Sequence, residues 1–284
     1  MIEGLEKKGT VRWSGEHWIS YLRRPGEDSN TGMVSLYNMR YTEAGHGFVA
    51  FVVINADGGN GSKDNSFKGL CTTNREVADF MVEEGALPWQ VDAAIYHFGF
   101  AMGPFAVNDL AGIDVRYLTR NEQKKLWPDR RHPVLLEKVY ALGRYGQKTD
   151  AGWYDYQPGA RRGTPSHLIE ELIVKTSAEL GLERRSFGDQ EIVDGYVLSM
   201  ANTGAQILEE GLALRASDID VIWHYGYGFP RYRGGPMFYA DLVGLDKVYD
   251  AVSRLYDSYG DWVKPSELLV SLAKDGKSFA DYTA

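Results

Sequence analysis

Residues able to do chemistry are sparse in this sequence, and most of them are aspartates that recur in a pattern. Asp109 and Asp114 bracket Leu110-Ala111-Gly112-Ile113, and Asp241 and Asp246 bracket Leu242-Val243-Gly244-Leu245. Closely spaced carboxylates can share general acid and base work. Recurrence at matching positions points instead to helix capping and turn fixing, because a short carboxylate accepts bonds from nearby backbone N–H groups. The repeat extends upstream: Asp92 follows Glu83-Glu84-Gly85, and Asp218 follows Glu209-Glu210-Gly211 at the same distance from the glycine. None of the six histidines stands in a His-Glu-x-x-His run or has a second histidine four residues on, so no metal site is expected. His97 beside Phe98 and His224 beside Tyr225 read as helix-end residues near aromatics, without the partner a base needs. The single cysteine, Cys71, excludes an internal disulfide and has only Lys68 and Arg75 as basic neighbours, which is thin support for a thiolate. No catalytic residue is assigned.

A duplicated pattern must position these groups. Phe98-Gly99-Phe100-Ala101-Met102-Gly103-Pro104 is echoed by Tyr225-Gly226-Tyr227-Gly228-Phe229-Pro230 and Gly234-Gly235-Pro236. Each copy keeps Gly-Pro, four residues, Asp, two residues, Gly, an aliphatic residue and Asp. Around the first copy the apolar spacing is helical: Val77, Phe80 and Met81 precede Gly85, and Pro88 opens a stripe of Val91, Ala94, Ile95 and Phe98. A third helix carries Val107, Leu110 and Ala111, and another Leu135, Leu136, Val139 and Leu142 up to Gly143. Residues 143–164 are a glycine-rich connector whose Trp153, Tyr154 and Tyr156 should dock it. Helices resume at Pro165. A long one over 190–210 leads to the second copy, and helical segments follow near 247–256 and 265–275. Residues 1–70 differ: stretches 10–13, 33–41 and 48–54 are rich in β-branched and aromatic residues and broken by turns, which predicts a small hairpin or meander. The glycine-rich run 55–66 fits neither the dinucleotide fingerprint nor the Walker pattern and reads as a turn or linker.

At 284 residues the chain can bury a sizeable core. A net charge of −8 and a sequence pI near 5.3 argue against nucleic-acid binding, and the basic runs Lys124-Lys125, Arg130-Arg131 and Arg161-Arg162 read as solvated faces. No apolar run reaches a membrane span, and the first eight residues lack the pattern of a secretory signal, so a cytoplasmic location is the default expectation.

Residues 74–284 resemble the tandem C-terminal domains of the 3-hydroxyacyl-CoA dehydrogenase family, in the form found in multifunctional β-oxidation proteins. Glu83-Glu84-Gly85-Ala86, Phe98 to Pro104, Asp109 to Asp114, Tyr145-Gly146-Gln147-Lys148, Gly152 to Tyr156, Ala201-Asn202, Asp218-Ile219-Asp220, Tyr227 to Pro230 and Arg233 to Pro236 carry the likeness. The resemblance implies a mainly α fold, two related helical bundles after a small β-rich segment, divided as 1–70, 71–164 and 165–284. It also implies oxidation of a 3-hydroxyacyl-CoA with NAD as hydride acceptor, by a His–Glu pair in a Rossmann domain. No Gly-x-Gly-x-x-Gly occurs here, nor the family's His-Phe-Phe stretch, and 70 residues are too few for such a domain. The expectation is therefore an acyl-CoA-binding and dimerisation module, with NAD bound only by a partner chain or domain, or a second copy of itself as partner. A non-catalytic assembly protein and a truncated relic are the alternatives. By the same resemblance Phe100, Met102 and Pro104 lie near the acyl chain, with core packing the competing role. Asn74 is the nearest match to a substrate-facing Asn, and Asn65 is the alternative.

Overall fold

The computed structural model describes four short N-terminal strands and residues 73–282, with 161 and 212 excepted. Cys71, Asn65 and the run 55–66 lie outside the described residues. Strands β1 (Val11–Ser14), β2 (His17–Ser20), β3 (Val34–Ser35) and β4 (Val53–Ile54) pair antiparallel in sequence order. Val11 faces Ser20, and Val34 faces Ile54, which is the expected meander. Residues 36–41 and 48–52, also expected as strand, are not among those described.

From Thr73 the chain is helical: α1 (Thr73–Glu84), α2 (Pro88–Phe98), α3 (Pro104–Ala111), α4 (Ile113–Leu126) and α5 (Leu135–Ala141) come first. A two-stranded ribbon, β5 (Tyr154–Asp155) with β6 (Thr164–Pro165), leads to α6 (His167–Glu179) and α7 (Asp189–Glu209). Then follow α8 (Ala216–Gly226), α9 (Pro236–Val243), α10 (Leu245–Tyr259) and α11 (Glu267–Lys274). Pro88, Pro104 and Pro236 open their helices, where a missing N–H costs nothing and φ is already set.

The longest helix, α7, is the spine. Residues on every side of it are buried, as expected of a helix surrounded by others. Helices α1 and α2 pack on it from the first bundle, and α9, α10 and α11 from the second. Two glycines allow this close approach. A Cβ on Gly195 would lie 2.1 Å from Met81 Cε, and one on Gly204 would lie 2.4 Å from Met237 Sδ. Each glycine costs about 1 kcal/mol of helix propensity relative to Ala, which the tighter packing offsets. Helix α6 packs on α1 and α5, so it belongs with the first bundle by contact.

Two findings differ from the linear reading. Helix α4 does not stand out by apolar period, because its inner face carries Arg116 and the fully buried Arg120. The basic run at Arg130-Arg131 is only partly solvated: Arg131 is exposed but lies over Phe80 at 4.7 Å, and the Arg130 guanidinium lies 4.6 Å from the Trp127 ring centre and 5.2 Å from that of Trp262. Such cation–π contacts suit a charge that has lost part of its water. The connector after α5 is docked as expected, with Trp153, Tyr154 and Tyr156 buried.

Candidate functional site

Helix α2 ends at Phe98, and the turn Gly99–Gly103 carries Phe100 and Met102 before Pro104 starts α3. Gly99 has φ +123, a conformation L side chains rarely adopt, so the helix stops there. Phe100 is buried and Met102 half-buried. The Phe100 ring stacks on Phe98 at 6.0 Å and meets Phe229 edge-on at 5.3 Å and Tyr196 at 6.2 Å. Phe98 meets Phe229 at 5.8 Å and Tyr239 at 5.1 Å. The turn thus sits in a box of rings supplied by both bundles and by α7. Pro104 is buried at the first position of α3.

Behind the turn, Asp92 fixes α3. Its Oδ1 accepts from the Phe105 N–H at 2.9 Å, and its Oδ2 accepts from the Ala106 N–H at 2.8 Å and the Tyr154 hydroxyl at 2.7 Å. Gly103 lies so close that a Cβ there would sit 2.3 Å from Asp92 Cα. Asp109 fixes the connector, accepting from the Trp153 and Tyr154 N–H groups at 2.9 and 3.0 Å and from the Tyr156 hydroxyl at 2.9 Å. Burial pushes Asp92 up to about 7 and Asp109 to about 6, against the pull of these donors. Both tyrosines are raised, by burial and by the carboxylates beside them.

The second bundle repeats the device with a different register. Asp220 accepts from the Met237 and Phe238 N–H groups at 2.8 and 3.1 Å, and burial pushes it up to about 7. The partner of Asp92 is therefore Asp220, not Asp218. Asp218 pairs with Arg215 at 2.8 Å on the surface. Equal spacing from Gly85 and Gly211 misleads because α8 starts five residues after Gly211 and α2 only three after Gly85. Asp241 accepts from Phe279 and Ala280 N–H groups at 2.7 and 3.1 Å. Oxygens committed to backbone donors fix turns, and nothing in the geometry aims them at a reacting proton.

Asn74 stands apart, in the first turn of α1, buried, with no donor on its Oδ1 among the described residues. Near it lies a charge cluster that the apolar pattern conceals. Arg116 grips Asp79 with both terminal nitrogens, at 3.1 and 2.5 Å, and Arg120 Nη2 donates to Asp79 at 2.7 Å and Glu76 at 2.8 Å. Burial raises Glu76 despite these cations. The signal was present as Glu76, Asp79 and Glu83 on one face of α1 and Arg116 and Arg120 one turn apart on α4.

Among the described residues no three His, Cys, Asp or Glu side chains gather as a metal needs, and no helix is long and apolar enough to cross a membrane. The described strands are all antiparallel, and the glycine fingerprint is absent from the sequence. The doubly wound parallel sheet that holds a dinucleotide is not found among the described residues. What surrounds the turn is a buried, apolar cluster of aromatic rings.

Comparison with known proteins places these features. The model of the 3-hydroxyacyl-CoA dehydrogenase C-terminal domain matches residues 70–156 and again 192–280. The peroxisomal bifunctional enzyme of Danio rerio is 41% identical over 216 residues, covering 71% of this chain and 30% of that protein. The human peroxisomal bifunctional enzyme is 37% identical over 214 residues, covering 70% and 30%. The crystal structure of the dehydrogenase part of multifunctional enzyme 1 from C. elegans superposes with a TM-score of 0.58 at 26% identity, over 74% of this chain and 47% of that one. The chain spans about 30% of the length of the curated relatives it matches.

Proposed function

Because the chain belongs to the 3-hydroxyacyl-CoA dehydrogenase family, in the part described as its C-terminal domain, we propose that it is the acyl-CoA-binding and assembly module of such an enzyme. The observation that supports this reading is the ring-lined turn: Phe100 stands among apolar rings with the half-buried Met102 two residues on, and the nearby carboxylates are committed to backbone. An apolar cluster of this kind suits an acyl chain and supplies neither a proton acceptor nor a hydride acceptor. Turnover then requires a chain or domain that brings NAD and the catalytic pair. In this reading Phe100, Met102 and Pro104 contact the acyl group, and Asn74 comes close to the thioester end.

Exposed apolar residues on α3 and α4 support a docking role as well. Leu110, Val115 and Leu118 are each more than half exposed. The counterparts of Val115 and Leu118 on α10 are Lys247 and Asp250, while that of Leu110 on α9 is the exposed Leu242, so the apolar stripe runs on into the start of the next helix only in the first bundle. A large apolar patch left bare is the mark of an interface. Either an NAD-bearing chain or a second copy of this one is the proposed cover.

Purified chain with NAD and 3-hydroxyoctanoyl-CoA should make no NADH, yet calorimetry should show saturable binding of the thioester. Phe100→Ala and Met102→Ala should each weaken that binding by about tenfold, the scale of one buried side chain. Steady NADH formation, or no thioester binding, overturns the proposal. An assembly protein without a substrate is the second reading, favoured by the exposed face alone; it predicts self-association in sedimentation with no thioester uptake.

A further inference from the structure

We infer that Tyr232 and Arg233 are positioning residues for acyl binding: they clamp the carbonyl of Phe98 and so fix the turn that presents Phe100 and Met102. The inference rests on the acyl-binding reading above and names residues of the second bundle that serve it.

Helices α2 and α8 correspond, as do α3 and α9, but the connections between them do not. The first runs over Gly99–Gly103 and the second over Tyr227–Gly235, four residues longer. The extra length holds a short 3-10 turn, Arg231–Arg233, which reaches back to the first bundle. Phe98 O is among the carbonyls that a helix end leaves without an internal partner. Tyr232 donates its hydroxyl to it at 3.1 Å, and Arg233 donates its Nε–H at 2.6 Å. The guanidinium also lies 4.1 Å from the Phe98 ring centre, where a cation is favoured both by the ring and by the helix C-terminus.

Three details argue that the contact is a device for the turn and not general packing. Tyr232 is 75% exposed, so its ring gains little from burial and its hydroxyl bond is the main tie. Gly99 passes so close beneath it that a Cβ would lie 2.2 Å from the Tyr232 hydroxyl, so a side chain there would push the ring off the Phe98 carbonyl. The donors come from the longer connection only, so the clamp runs one way, from the second bundle to the first. The rings of Phe98 and Phe100, held on either side of Gly99, then keep their places against Phe229.

Full-length Tyr232→Phe and Arg233→Met chains test this by amide hydrogen exchange without ligand and by titration with 3-hydroxyoctanoyl-CoA. Exchange at residues 99–103 should accelerate about fivefold per lost bond, while exchange in α7 and the melting temperature of Tyr232→Phe stay unchanged. The thioester should bind both variants three- to tenfold more weakly. Unchanged exchange in the turn, or acceleration spread evenly through the chain, overturns the inference. So does wild-type affinity in both variants when the wild-type chain binds. A wild-type chain that takes up no thioester overturns the acyl-binding reading, and this inference with it.

Discussion

Asp92 and Asp220 each stand fifth in an eleven-residue helix, and each holds the first turn of the helix that follows. Asp92 takes the N–H groups of Phe105 and Ala106, and Asp220 those of Met237 and Phe238. The glycine before each following proline leaves room: a Cβ on Gly103 would touch Asp92, and one on Gly235 would lie 2.3 Å from Asp220 Oδ1. Gly-Pro is thus half of a two-part joint, and the aspartate is the other half.

Burial raises both carboxylates to about 7 from an ordinary 3.8. A group whose folded value exceeds its unfolded one makes the native state bind protons more tightly. Its stabilising contribution is complete below about 3.8 and is lost as pH rises through about 7. Melting temperatures should therefore fall between pH 4 and pH 8, and the double variant Asp92→Asn/Asp220→Asn should flatten that slope. Equal slopes in wild type and variant would contradict the assignment.

Arg120 answers two buried acids at once. Arg120→Met keeps the volume but leaves Glu76 without its closest cation and Asp79 with Arg116 alone. Losing one member of a buried charge set typically costs about 3–5 kcal/mol. Urea unfolding should show a shift of that order, larger than for Lys138→Met, whose partner Glu179 is in an exposed pair.

Gly85 and Gly211 end equivalent Glu-Glu-Gly stretches but face different surroundings. At Gly85, φ is +146 and a Cβ would lie 1.9 Å from the backbone oxygen of Arg185, whereas at Gly211 φ is +67 and the space is open. Gly85→Ala should cost more than about 3 kcal/mol, because rigid backbone must move. Gly211→Ala should cost about 1–2 kcal/mol, the backbone penalty alone. Denaturation midpoints of the two variants separate the steric from the conformational effect.

Most of the helical architecture is legible in the sequence because it is written locally. Apolar period, N1 prolines and terminal glycines mark α1, α2, α3, α5 and α7 without reference to the rest of the fold. Helix α4 hides because its buried positions hold Arg116 and Arg120, whose partners lie about forty residues away on α1. Asp220 is missed for a related reason: counting from Gly211 ignores a loop length that only the helix starts reveal. Phe100 and Met102 can be named from their motif, but the ring box around Phe100 draws on Tyr196, Phe229 and Tyr239, which no local spacing connects. Tyr232 and Arg233 escape too, since an exposed Tyr beside an Arg looks like any loop until Phe98 is seen beneath it.

The spine α7 touches Met81 through Gly195 and Met237 through Gly204. One helix therefore serves as interior for both bundles, and neither can be excised intact. A substitution along it is inherited by both bundles at once.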